Sequence, residues 1–124
     1  MNVVLWIIAV ILAVAFLASG AMKLVKSKEQ LVEADQGWAG DFSPGLIKTI
    51  GALEVLAAIG LILPALLDIA PVLVPLAALG LVMVMAGAVV THARRQETQM
   101  IVVNLVLLVL AAVVAWGRFG PYSF

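Results

Sequence analysis

Glu54 stands inside an apolar run, GALEVLAAIG from Gly51 to Gly60, and has the most chemistry to offer of any side chain in this sequence. It lies ten residues past Pro44, which is about 15 Å along a helix rising 1.5 Å per residue, near the middle of a hydrocarbon layer about 30 Å thick. An acidic side chain at that depth costs at least about 2.5–3.5 kcal/mol on insertion scales, and such residues usually face a bundle interior and mark a pathway, a ligand or a polar partner. Low dielectric disfavours the charged form of an isolated carboxyl, which suits a proton carrier or a hydrogen-bond donor to a carbonyl ligand. The plain alternative is a protonated carboxyl that only ties neighbouring helices together.

The elements that hold Glu54 are membrane spans. Of 124 residues, 65% are hydrophobic and 11% charged, against about 45–50% and about 25% in soluble domains. That composition excludes a water-soluble globule, a disordered chain and a nucleic-acid binder, and the formal net charge of zero points to no polyanionic partner. Four segments are long and apolar enough to span, at about 3–22, 44–63, 70–90 and 100–116. Ser43 is placed as an N-cap with Pro44 as first helical residue; Pro64 is expected to end that helix, Pro71 to open the next, and Pro75 to sit in its first turn. The first run is long for a cleaved leader and no basic residue precedes it, so it reads as a span despite the small residues Ala18 to Ala21. Residues 27–43 are polar and read as an interfacial loop or short surface helix, with Trp38 and Phe42 at headgroup level.

Lys23, Lys26 and Lys28 follow the first span and Arg94 and Arg95 the third, against Arg118 alone on the other side. By the positive-inside bias, both of those connections are cytoplasmic and both termini lie outside the inner (plasma) membrane. Trp6, Trp116, Phe119, Tyr122 and Phe124 then share the outer interface.

Around Glu54 the other polar residues sort by depth. Lys48 lies six positions earlier, about 120° around the helix, so it is a poor direct partner and reads as an interface anchor. Ser19 and Asn104 each sit about one turn inside a cytoplasmic helix end and reach toward Glu54 through water or a ligand; Asn104 equally suits a bond gluing two helices. His92 precedes Arg94 and Arg95 at the end of the third span. An imidazole there exchanges protons between cytoplasm and site, or is an ordinary interfacial histidine. Lys23 closes the first helix at the same level. The outer half holds little besides Asp68 and Arg118 near its rim. This asymmetry predicts a pocket entered from the cytoplasmic side or inner leaflet, not a continuous channel. Without cysteine and with one histidine, the chain cannot carry disulfide chemistry, an iron–sulfur cluster, a c-type haem, a bis-histidine haem or a usual zinc site. No metal site is expected, and any electron carrier belongs to a partner or to a diffusible molecule such as a quinone.

With these residues placed, the chain resembles the DoxX-like membrane family over nearly its whole length. The resemblance rests on FLASGAMKL (Phe16 to Leu24), IGALEVLAAIGLILP (Ile50 to Pro64), AGAVVTHARR (Ala86 to Arg95) and WGRFG (Trp116 to Gly120). It implies a four-helix bundle in which Lys23, Glu54, His92 and Arg118 fit recurring polar positions. It also implies an association with membrane redox complexes: the family is named for a small subunit linked to quinone-reducing thiosulfate oxidation, and distant eukaryotic relatives are assembly factors. No residue here specifically matches thiosulfate chemistry.

The expectation is therefore an all-α integral membrane four-helix bundle in a single domain. It would be an accessory, non-catalytic subunit of a quinone-linked redox or detoxification system, with no covalently bound cofactor and a quinone as its ligand. The candidate ligand or proton site comprises Glu54, His92, Asn104, Lys23 and Ser19, with Arg118 a candidate at the outer interface. Its partners would be the lipid bilayer and either a second copy or a membrane or peripheral redox protein. Two other readings compete. A small proton-coupled exporter has four helices and one buried glutamate, but in the small multidrug-resistance transporters that glutamate is in the first helix, which is uncharged here. An assembly or structural factor would use Glu54 for packing and be damaged by bulk at Gly51 or Gly87.

Overall fold

The computed structural model describes residues 1–33, 39–40 and 42–124, and Trp38 lies outside them. Four helices are long and apolar enough to cross a membrane: α1 (Asn2–Val25), α3 (Pro44–Leu67), α4 (Leu73–Arg94) and α5 (Thr98–Phe119). With 22 to 24 residues each, they run about 33–36 Å, enough for the hydrocarbon layer plus a margin into the headgroups. A short helix, α2 (Lys28–Glu33), joins α1 to α3, and there is no strand among the described residues. The protein is an all-α, multi-pass membrane bundle.

The start signal of α3 acts as the sequence predicts. Ser43 accepts a hydrogen bond from the Leu46 backbone N–H at 3.2 Å, with Pro44 as the first helical residue. In front of α2, Ser27 and Gln30 form a reciprocal capping box: Gln30 N–H donates to Ser27 Oγ at 3.1 Å and Ser27 N–H to Gln30 Oε1 at 2.9 Å.

The helix ends differ from expectation. Pro64 does not close α3, which continues one turn to Leu67 and stops at Asp68 in the left-handed region (φ 52°). The proline removes one donor, but the carbonyls around it are still used: Ile69 N–H donates to Pro64 O at 3.0 Å. Pro71 does not open α4 either. Asp68 and Ala70 (φ 47°) both turn the chain, Leu73 N–H donates to Ala70 O at 2.9 Å, and the helix begins at Leu73 with Pro75 in its first turn. All four spans also extend beyond their apolar runs at the C-terminal end, because a helix continues while its backbone groups stay satisfied, wherever the first polar side chain falls.

Each span buries one stripe. On α1 it is Leu5, Ala9, Leu12, Phe16 and Gly20; on α3 it is Ile47, Gly51, Glu54, Ala58 and Leu61. Spacings of three and four keep these residues on one side of each helix. α1 pairs closely with α3 and α4 with α5, while α3–α4 contacts and sparser α1–α5 contacts join the two pairs. The core centres on Leu12, Phe16, Leu61, Val74, Leu81 and Val114. A satellite cluster of Leu31, Ala39 and Ile47, flanked by Met22 and Phe42, fastens α2 to the bundle.

Two glycines set how closely α1 and α3 approach. A Cβ on Gly20 would lie 2.6 Å from Gly51 O, and one on Gly51 would lie 2.8 Å from Lys23 Cβ and 2.9 Å from Gly20 O. Small residues permit such backbone contact between membrane helices. At this crossing the α1 face carrying Ser19 and Lys23 meets α3 at Glu54.

Candidate functional site

Ser19 and Lys23 are one turn apart on the same face of α1. Helical side chains lean toward their own N-terminus, so Lys23, near the end of α1, leans into the membrane. Glu54, on the antiparallel α3, leans the opposite way, and the two heads meet. Lys23 Nζ lies 2.7 Å from Glu54 Oε1, Ser19 donates to Oε2 at 3.1 Å, and Lys23 also donates to Ser19 Oγ at 2.6 Å. Glu54 is 2% exposed and the Lys23 side chain 13%. The expectation of a lone carboxyl, reached by Ser19 only through water or ligand, is replaced by a closed triad. Lys23 was expected to close α1 and to belong to the candidate site, without a direct bond to Glu54; that pairing had one sequence signal, the four-residue spacing from Ser19. Lys48 does not join the triad. Its ammonium donates to Leu24 O and Lys26 O at 2.7 and 2.8 Å, capping α1.

His92 is buried where α4 ends, and its Nδ1 lies 2.9 Å from Glu97 Oε1; Arg95 Nε donates to the same oxygen at 3.2 Å. Gln96, in the left-handed region (φ 56°), makes the turn that returns Glu97 to His92. Glu97 escaped the sequence reading because nothing in its spacing marks a partner until that turn is formed. The hydrogen bond from His92, joined by the charges of His92 and Arg95, holds the Glu97 carboxyl below the usual carboxylate range. A depressed carboxyl contributes stability above its unfolded value and loses it as pH falls through the folded one. Acidification below the ordinary carboxylate range should therefore loosen the α4–α5 turn. Amide protection over residues 92–98, taken relative to the intrinsic exchange rate at each pH, is expected to fall with acid in the wild type, and E97Q should show low protection at every pH; equal acid response in both would refute the coupling.

Asn104 is buried on α5, and its Nδ2 has no hydrogen-bond partner. The packing brings Ser19, Lys23, Glu54, His92 and Asn104 to the wall of one cavity of about 660 Å³, between α1, α3, α4 and α5. Most of the wall is apolar, formed by residues such as Phe16, Met22, Met85 and Leu107. Where Ala18, Met83, Gly87 and Val103 line it, the wall is exposed at the bundle surface. Glu54 and His92 face this space from opposite helix pairs.

The match with known protein families covers residues 7–114. The chain belongs to the DoxX-like family. No curated protein and no solved structure matches it. Every residue lining the cavity falls inside the DoxX-like match. The match ends before the WGRFG stretch, and Arg118 is indeed apart from the other five candidates. It is buried at the opposite end of this DoxX-like bundle, not at an open rim. There its guanidinium donates to Asn2 Oδ1 and to Tyr122 O, and lies 4.0 Å from the Phe124 ring and 6.0 Å from that of Trp6. Trp6 packs edge-on against Phe124, and Trp116 against Tyr122, so the aromatic group expected at one interface does gather at one end. Arg118 is its polar centre and clamps the start of α1 to the end of α5.

Proposed function

We propose that this DoxX-like protein is a small accessory subunit of a quinone-linked redox system and holds a quinone headgroup in the cavity between its helix pairs. One observation carries the reading: a space of about 660 Å³ whose walls are mainly apolar, with Glu54, His92 and Asn104 placed around it. Ligand sites typically enclose about 300–1,000 Å³ in this way, a few polar groups fixing orientation within an apolar lining. Asn104, a buried donor without a partner, suits a ligand that brings an acceptor oxygen. A bound quinone supplies the electron-accepting ring; the chain's own residues bind it, orient it and exclude water, and the electrons come from a partner protein.

The cavity would lie on the cytoplasmic side, since five of the flanking basic residues (Lys23, Lys26, Lys28, Arg94 and Arg95) are at that end of the bundle, against Arg118 at the other. The Lys23 ammonium 2.7 Å from Glu54 weighs against the exporter reading, in which the carboxyl must be free to exchange a proton for a cationic substrate.

Purification in mild detergent with mass-spectrometric quantification of retained quinone tests this. Wild type is expected to keep quinone well above its level in bulk lipid, and G87L, which puts a side chain into the cavity, to lose it while melting like wild type. Wild type that retains only bulk phospholipid overturns the proposal.

A further inference from the structure

Among the described residues, the ionisable groups on the cavity wall already have partners, and one buried amide donor is the exception. Lys23 and Ser19 take up the two oxygens of Glu54, and His92 Nδ1 is held by Glu97. The charges of the wall are thus balanced within it, and among the described residues no unpaired carboxylate faces the cavity. The exception is Asn104, 6% exposed, on the cavity wall, its Nδ2 without a hydrogen-bond partner. An unmet buried donor carries its full desolvation cost, which is removed when an acceptor is delivered into the cavity. A cation would find no unpaired counter-charge there. An anion would have to break the Lys23–Glu54 pair to gain a partner.

We infer that Asn104 selects the occupant. It donates from Nδ2 to a carbonyl oxygen of an uncharged, lipophilic molecule, which enters sideways from the bilayer where Ala18, Met83, Gly87 and Val103 leave the wall exposed. The exposed rim lies on the apolar flank of the bundle, so a membrane-dissolved molecule reaches Asn104 without crossing the polar connections. This rests on the ligand-binding reading of the cavity and does not require the ligand to be a quinone.

The test uses the full chain in nanodiscs, titrated with menadione as a neutral diketone, 2-undecanone as a neutral monoketone and tetraphenylphosphonium as a lipophilic cation. Wild type should bind at least one ketone and bind the cation about tenfold more weakly or worse. N104L and N104A, which lack the amide donor, should each lose about tenfold in ketone affinity, and N104Q should recover part of it. The infrared carbonyl stretch of the bound ketone should lie lower on wild type than on either donor-less variant, a signature that loss of packing alone would not produce. If N104L does not fold, N104A and N104Q decide the matter. Equal ketone affinity and an unshifted carbonyl band in N104A, or preference for the cation, overturn the role of Asn104. Binding of 2-undecanone with this dependence while menadione does not bind would leave Asn104 in place and remove the quinone. Menadione binding that ignores Asn104 would do the reverse.

Discussion

Exchanging Lys23 for methionine destabilises the bundle by about 3–5 kcal/mol, the usual cost of removing one partner of a buried ion pair. Methionine keeps much of the apolar stem that packs against Gly51, so the change isolates the ammonium. Without it, a carboxylate that is 2% exposed loses its contact at 2.7 Å, and Ser19 Oγ loses its donor. E54Q should cost less, because the ammonium left behind is already 13% exposed and can turn toward the interface. The double variant K23M/E54Q should be more stable than K23M, since no charge is stranded. Unfolding of the purified protein in detergent, measured for both single variants and the double, gives the coupling directly. Costs that simply add would mean that the two side chains act independently.

Bulk at Gly51 and bulk at Gly87 should have opposite consequences, although the sequence treats both as packing positions. G51L drives a side chain into a contact where even a Cβ would come within 2.8 Å of Lys23 Cβ and 2.9 Å of Gly20 O. Both obstacles are backbone or backbone-proximal and cannot move unless α1 separates from α3. The overpacking cost of about 1–3 kcal/mol is then joined by loss of the Lys23–Glu54 contact, and G51L should fail to yield a folded bundle. A Cβ on Gly87 meets nothing within 4 Å, and this glycine lines the cavity. G87L should therefore melt like wild type while filling the cavity and abolishing quinone retention. Detergent unfolding and retained-quinone measurements on the two variants separate packing from occupancy. A destabilised G87L would return Gly87 to the packing role.

The membrane class, the number of spans and the Ser43–Pro44 start of α3 were legible in the sequence, because each depends on local quantities: hydropathy over about twenty residues, and one side chain bonding its own backbone. Glu54, His92 and Asn104 were legible as the polar residues to watch for a related reason. A polar group in an apolar span has few places to go other than the bundle interior.

What surrounds those residues was not legible. In a soluble helix the apolar stripe marks the buried face, but here every face is apolar, the lipid side as much as the core, and the stripes on α1 and α3 leave no periodic trace. Which residues share a level depends on the register between helices, and the contact of Gly20 with Gly51 sets that register. It brings Lys23 rather than Lys48 to Glu54. The left-handed turn at Gln96 returns Glu97 to His92, and the clamp around Arg118 joins residues more than a hundred positions apart. The sequence by itself thus determined that this chain crosses the membrane four times and buries a few polar side chains. The partners of those side chains, and the size and lining of the cavity they border, were decided by the tertiary structure alone, because contacts between helices depend on rotation and register that no local propensity encodes.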